Sequence, residues 1–287
     1  MCEICIQWFP GHMKKTFKEI SQYLKIIDLI LVILDARIPY SSVNWELLKT
    51  FNNKPFLLLL NKISLADMSN INIFKKFFEK HKIPFLWIDS KIKINIHQIK
   101  PYIYRILKIK NPFWQHKILK LMITGMPNVG KSTFINCFAN KKLVKTANIP
   151  GITKQMQWIK IDPRTKLLDT PGLLYHKFKD PRIGYNLAIC GCIKSTLYPK
   201  LPIVEYLLTY LKKNYYQNLQ KCFKLTKPEL ELPNLWYKIA QKNLYLTKNQ
   251  ILDENKVLDM ILYKISNGFI GPVNFDLNLS NELLKEV

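Results

Sequence analysis

The stretch "LKLMITGMPNVGKSTFINCF", residues 119–138, decides how the rest of the chain is read. An apolar run, Ile118 to Thr124, leads straight into Gly125-Met-Pro-Asn-Val-Gly130-Lys131-Ser132, and an amphipathic segment follows. In that strand–loop–helix setting, Gly125 and Gly130 let the backbone curl so that successive amides and a helix N-terminus face an anion. Lys131 is then placed to reach the β- and γ-phosphates of a nucleotide. The Ser132 hydroxyl is placed to complete the shell of a Mg²⁺ ion that keeps most of its waters. Pro127, Asn128, Val129 and Thr133 complete the phosphate cradle.

Two further pieces follow at useful distances. "LLDTPG" ends an apolar run at Asp169, placed to hold magnesium through water, and at Gly172, whose amide can contact a γ-phosphate. Between them and the cradle, "NIPGITK" offers Thr153, a hydroxyl that binds Mg²⁺ only when a γ-phosphate is present. A segment ordered by that phosphate and released by its hydrolysis is a switch. Lys131 and Thr153 are therefore expected to act in catalysis as well as in binding.

Working outward, further apolar runs bounded by turn signals occur at Leu29 to Leu34, Phe56 to Leu60 and Pro84 to Ile88, with helical spacing at Ile71 to His81 and Ile96 to Ile109. Continuous apolar strands alternating with helices predict a parallel sheet covered on both faces, the α/β doubly wound class. After Gly172 the texture becomes helical, at Pro181 to Ser195, Ile203 to Tyr215, Leu235 to Lys242 and Glu254 to Ser266. A division is expected in "YHKFKDPR", giving a nucleotide-binding domain over 1–178 and a smaller, mostly α-helical domain over 179–287.

At 48% apolar residues, a chain of 287 residues can build a real core. Its 44 Lys and Arg against 20 Asp and Glu leave a formal charge of +24, which points to a polyanionic partner. Cysteines at 2, 5, 137, 190, 192 and 222 lack paired metal-ligand spacing and are read as free thiols in a reducing compartment, in preference to a split zinc site. The longest apolar run, "IIDLILVIL", is too short to span a bilayer and the N-terminus has no signal-peptide core, so a protein inside the cell and off the membrane is expected.

In "LLLLNKIS" (57–64) an apolar run leads into Asn61-Lys62 and looks like the end of a buried strand feeding a nucleotide-base pocket, yet it precedes the phosphate loop. Together, G-x-P-N-V-G-K-S, P-G-I-T, D-T-P-G and an upstream N-K resemble a translation-factor-class GTPase whose motif order is circularly permuted. "IQWFPGHMKK" (6–15), "DARIPYSS" (35–42) and "YNLAICGCIKST" (185–196) narrow the resemblance to the ribosome-biogenesis GTPase A family. It implies a monomeric GTPase binding GTP and GDP with Mg²⁺. It further implies action late in large-ribosomal-subunit assembly, with the helical domain on ribosomal RNA, in a bacterial cytoplasm or an organellar matrix or stroma. "YLKKNYYQNLQKCFK" and "KLTK" are the candidate RNA contacts, with Tyr215 and Tyr216 expected to pack rather than to stack on bases.

Where Ras-like enzymes place a water-orienting glutamine, this chain has Leu173. The resemblance transfers that role to His12, acting on the ribosomal particle, and gives Asn128 a part in binding a K⁺ ion that bridges the phosphates. The family's N-K-x-D acid is Ser64 here, which predicts weaker guanine affinity; Asp67 is read as a solvated loop carboxylate. "IDSKIK" resembles the S-[AG]-K loop that lines the base, through Ser90 and Lys91, with Asp89 in its first position. The alternatives are a nucleotide-gated RNA-binding factor with negligible or base-nonspecific hydrolysis, an ATPase, and a structural RNA-binding protein with a relict loop.

Overall fold

The computed structural model describes residues 19–51, 53–108, 118–146, 155–174, 178, 180–242 and 253–279. His12 and Thr153, with Cys2 and Cys5, lie outside the described residues. In chain order come β1 (Leu29–Asp35), α1 (Trp45–Lys49), β2 (Phe56–Asn61), α2 (Ile71–Lys80), β3 (Phe85–Trp87), α3 (Ile99–Ile106), β4 (Leu119–Gly125) and α4 (Lys131–Ala139). They are followed by β5 (Gln157–Asp162), β6 (Thr165–Asp169), α5 (Pro181–Ile189), α6 (Lys200–Asn214), α7 (Tyr216–Phe223), α8 (Lys227–Leu230), α9 (Leu235–Lys242) and α10 (Glu254–Ser266).

The strands form one sheet in the order β3-β2-β1-β4-β6-β5, parallel throughout except for β5, which runs antiparallel to β6 at the edge. The strand that carries the phosphate loop is thus central although it is fourth in sequence. Permutation has changed the order in which the strands are made and left their neighbours alone, because a sheet holds no record of where its chain begins.

Strand β1 is buried along its whole length, as a strand covered on both faces must be. Its side chains divide by the period of two. Leu29, Leu31 and Ile33 join Leu57, Leu59, Leu121, Ile123 and Phe134 on one face, while Ile30, Val32 and Leu34 join Leu58, Leu60, Met122, Phe74 and Phe78 on the other. The first of these cores continues without a break into Leu187, Val204, Leu211, Ile261 and Phe275, so the C-terminal helices share the apolar interior of the sheet.

The C-terminal segment also returns to the sheet's upper edge. Phe275 N donates to Arg37 O at 2.8 Å and Val273 N to Leu65 O at 3.0 Å. Asp276 accepts from Tyr40 N, Ser41 N, Ser41 Oγ and Asn186 Nδ2 at 2.7, 2.9, 2.5 and 2.9 Å. Tyr215 is packed, as its helical spacing predicts; its hydroxyl donates to Asp67 and accepts from Asn274 N. Among the described residues no helix is long and apolar enough to cross a membrane.

Candidate nucleotide-binding site

The parallel strands β1, β2, β3, β4 and β6 end together, and a cavity of about 1090 Å³ opens above their carboxyl ends. Chains leave β1 and β4 in opposite directions along the sheet, the place where doubly wound folds bind ligands. The phosphate loop can pass there because two glycines permit it. A Cβ on Gly125, at φ +151°, would lie 2.3 Å from Ile33 O, and one on Gly130, at φ +99°, would lie 2.4 Å from Asn61 Nδ2. Helix α4 starts at Lys131, so its first amides face the cavity.

Lys131 Nζ donates to Gly125 O at 3.1 Å and Met126 O at 2.8 Å. Burial pushes its pKa down to about 8, against the opposing pull of Asp169. The ammonium is tethered by weak neutral acceptors and is ready to be drawn onto phosphate oxygens. Ser132, Thr133, Pro127, Asn128, Gly130 and Gly172 line the same cavity, whereas Val129 is buried beneath the loop.

The base motif grips the phosphate loop directly. Asn61 Nδ2 donates to Val129 O at 2.9 Å, and Asn61 Oδ1 accepts from Ser90 N at 2.9 Å, so one amide joins loops from β2, β3 and β4. Lys62, in the left-handed region at φ +63°, donates to Asn128 O at 2.8 Å and pairs with Asp35 at 2.9 Å. Asn128 in turn donates through Nδ2 to Gly191 O at 3.2 Å, tying the cradle to the loop after α5. Ser64, Ser90 and Lys91 line the cavity's other end.

Asp67 does not turn into the pocket. Its carboxylate, part-exposed in the loop, accepts from Ser69 N, Asn70 Nδ2 and the Tyr215 hydroxyl, which makes it a turn-stabilising group and a tie to the turn before α7. Leu173 is buried in the core, with its amide on Gly125 O at 3.1 Å. Its side chain faces away from any phosphate, as an apolar residue at that position must.

Among the described residues, hard oxygen donors flank the place of the implied metal. Asp169 ends β6 in register with Ile123 of β4, beside the strand that runs into the cradle, and Ser132 opens α4. Among the described residues no three His, Cys, Asp or Glu side chains gather into a metal cluster. Two oxygen groups beside a polyphosphate suit Mg²⁺, which is held by one or two protein ligands, phosphates and water.

Sequence reasoning missed two parts of the site. Asp35 and Arg37, quoted only as part of a family signature, form a buried pair, Nη2–Oδ2 2.8 Å, beneath Lys62. Burial opposes charge on Asp35, but Arg37 and Lys62 outweigh it and hold the carboxyl well below its usual range. Tyr263, Ser266 and Asn267, from the end of α10, also line the cavity. No local signal marks residues about two hundred positions from the base motif as its neighbours.

Residues 120–204 match the family model described as 50S ribosome-binding GTPase. Ribosome biogenesis GTPase A of Bacillus licheniformis is 38% identical over 276 residues, covering 94% of this chain and 98% of that protein. The chain belongs to the ribosome biogenesis GTPase A family. It is accordingly a GTP hydrolase, and the nucleotide it binds is a guanine nucleotide. Mitochondrial ribosome-associated GTPase 1 of Bos taurus is 28% identical, with 95% of this chain and 89% of that protein covered. GNP-bound YlqF from T. maritima superposes with a TM-score of 0.63 at 21% identity over 91% of this chain and 97% of that one, which shows the shared permuted fold.

Proposed function

We propose that this member of the family hydrolyses GTP to GDP and phosphate while bound to a maturing large ribosomal subunit, late in its assembly. The observation that carries the reading is the clasp between base motif and phosphate cradle. Asn61 and Lys62 hold the carbonyls of Val129 and Asn128, so base motif and phosphate cradle form one preassembled site for a whole nucleotide. The ribosomal partner is supported by the names of the relatives and by the +24 charge, which draws the chain to RNA.

In this reading residues 1–178 carry the nucleotide motifs, the loop after α5 and the end of α10 complete the cavity wall, and other faces of residues 179–287 contact ribosomal RNA, with Lys212, Lys213, Lys221 and Lys224 among the phosphate contacts. The protein acts as a monomer, in a bacterial cytoplasm or an organellar matrix or stroma. Lys131 moves from its two carbonyls onto the β- and γ-phosphates, and the amides of α4 and Gly172 take the remaining oxygens. Ser132, Thr153 and Asp169 would hold Mg²⁺, which offsets phosphate charge when bound. Since Asn128 Nδ2 rests on Gly191 O, Asn128 Oδ1 is the atom left to take K⁺.

With Leu173 buried, water must be oriented by another polar group, and His12 is assigned that role on the particle. The test is phosphate release with and without large-subunit particles, in potassium and in sodium. His12→Ala should abolish the stimulated rate and leave GDP affinity unchanged. Equal stimulated rates in mutant and parent would remove His12 from the mechanism. Absence of stimulated phosphate release, with nucleotide-dependent particle binding retained, would overturn this reading of when the enzyme turns over.

A further inference from the structure

Ser64 occupies the position at which the N-K-x-D pattern places its acid. It is exposed in the cavity, two residues past Lys62. A free serine hydroxyl rotates and donates as readily as it accepts, so by itself it cannot tell guanine, whose Watson–Crick edge offers the N1–H and N2–H donors, from adenine, whose N1 accepts.

This hydroxyl is not free. Asp89, from the loop that follows β3, is only 2% exposed, and its Oδ2 accepts from Ser64 Oγ at 2.5 Å and from Ser64 N at 3.3 Å. The other oxygen, Oδ1, accepts from Lys91 N at 2.9 Å and Ile92 N at 3.2 Å. The carboxylate is therefore fixed on both sides and cannot swing. The loop carrying it is fixed as well, by the Asp89–Ile94 bridge and by Ser90 N on Asn61 Oδ1. Lys62 does not compete for it, because its ammonium is engaged by Asp35 and Asn128 O.

We infer that Ser64 and Asp89 together form the base-reading acceptor of this GTPase. The buried carboxylate takes the only proton of the Ser64 hydroxyl, and Ser64 Oγ, left with its lone pairs alone, accepts from guanine N1–H and N2–H. Ser64 touches the base, while Asp89 is the positioning residue that makes it an acceptor. Relative to the N-K-x-D and S-[AG]-K patterns, acid and hydroxyl have exchanged places across the β2 and β3 loops. The negative charge stays in the pocket, one hydroxyl further from the base, and the short O–H···O⁻ contact lies in the charge-assisted range.

Asp89→Asn makes the inference sharp. The asparagine oxygen is kept by the amides of Lys91 and Ile92, so its NH2 faces Ser64 and turns the serine proton into the pocket, against guanine's own donors. Competition of GDP, IDP (which lacks the 2-amine) and ADP for a fluorescent guanine nucleotide on the full chain tests it. The parent should prefer GDP to IDP and IDP to ADP.

Asp89→Asn and Ser64→Ala should each weaken GDP by about ten- to hundred-fold, the range of a charge-assisted bond, and bring the GDP:IDP ratio towards one. The exchanged double variant, Ser64→Asp with Asp89→Ser, should recover the parent's order. Inorganic triphosphate, which has no base, should compete equally with all variants and so reports an intact fold and cradle. Parent-like base ratios in Asp89→Asn, or a double variant no better than the single ones, would overturn the inference and leave the GTPase assignment standing. A parent that binds ADP as well as GDP would overturn both.

Discussion

Lys131 is the residue at which burial and chemistry meet most directly. Its ammonium sits on two neutral carbonyls in a closed environment, which lowers its pKa to about 8. Below that pH the charge that phosphates require is already present; above it, binding must take up a proton. GDP affinity should therefore fall as pH rises beyond 8, approaching roughly tenfold per unit. Titration calorimetry at pH 8.5 in buffers of different ionisation enthalpy should show net proton uptake that is lost in Lys131→Met. Lys131 is legible in the sequence because G-x-x-x-x-G-K-S after a strand has a mechanism that depends on local chain alone. Ser64 was different. The sequence displays a missing acid at 64 and an unexpected one at 89, and only their 2.5 Å contact joins the two facts.

Among the elements, strands β1 to β4 were legible because each is a continuous apolar run, and α10 matched its expected span from Glu254 to Ser266. Strand β5 was not legible. "QWIKID" alternates exposed and buried side chains at the sheet edge, with Lys160 outward and Trp158 against Tyr23, and no long apolar run announces it. Equally hidden was the joint between β1 and α10. Arg37 Nη1 donates to Ile265 O at 3.2 Å and Ser266 O at 2.9 Å, a cation on the last carbonyls of a helix, while its other face pairs with Asp35. Arg37→Met would strip these carbonyls and leave the Asp35 carboxylate buried with Lys62 alone. A loss of about 3–5 kcal/mol is expected from breaking a buried pair, measured by urea unfolding. Arg37→Lys should recover only part of it, because an ammonium cannot reproduce the fork.

Over the whole molecule, the C-terminal segment is the strap that unites sheet and helices, and Asp276 is its fastening. Four donors favour its ionised form, yet burial outweighs them and pushes its pKa up to about 6 from 3.8. Between about pH 4 and 6 the folded chain keeps a proton that the unfolded chain has released. This contribution to stability is therefore present below the window and lost as pH rises through it. Urea midpoints of Asp276→Asn should lack that downward step between pH 4 and 6, and a parallel pH course in mutant and parent would refute it.

Sequence by itself determined the α/β class, the permuted motif order and the phosphate cradle. Each depends on residues close together in the chain, where periodicity, glycine geometry and a lysine at fixed spacing are sufficient. Only the tertiary structure decided which carboxylate serves the base, that α10 reaches the nucleotide cavity, and that helices and sheet share one core. Those facts are contacts between segments separated by 25 to more than two hundred residues. Such contacts arise from how apolar faces close on one another, and no local pattern encodes them.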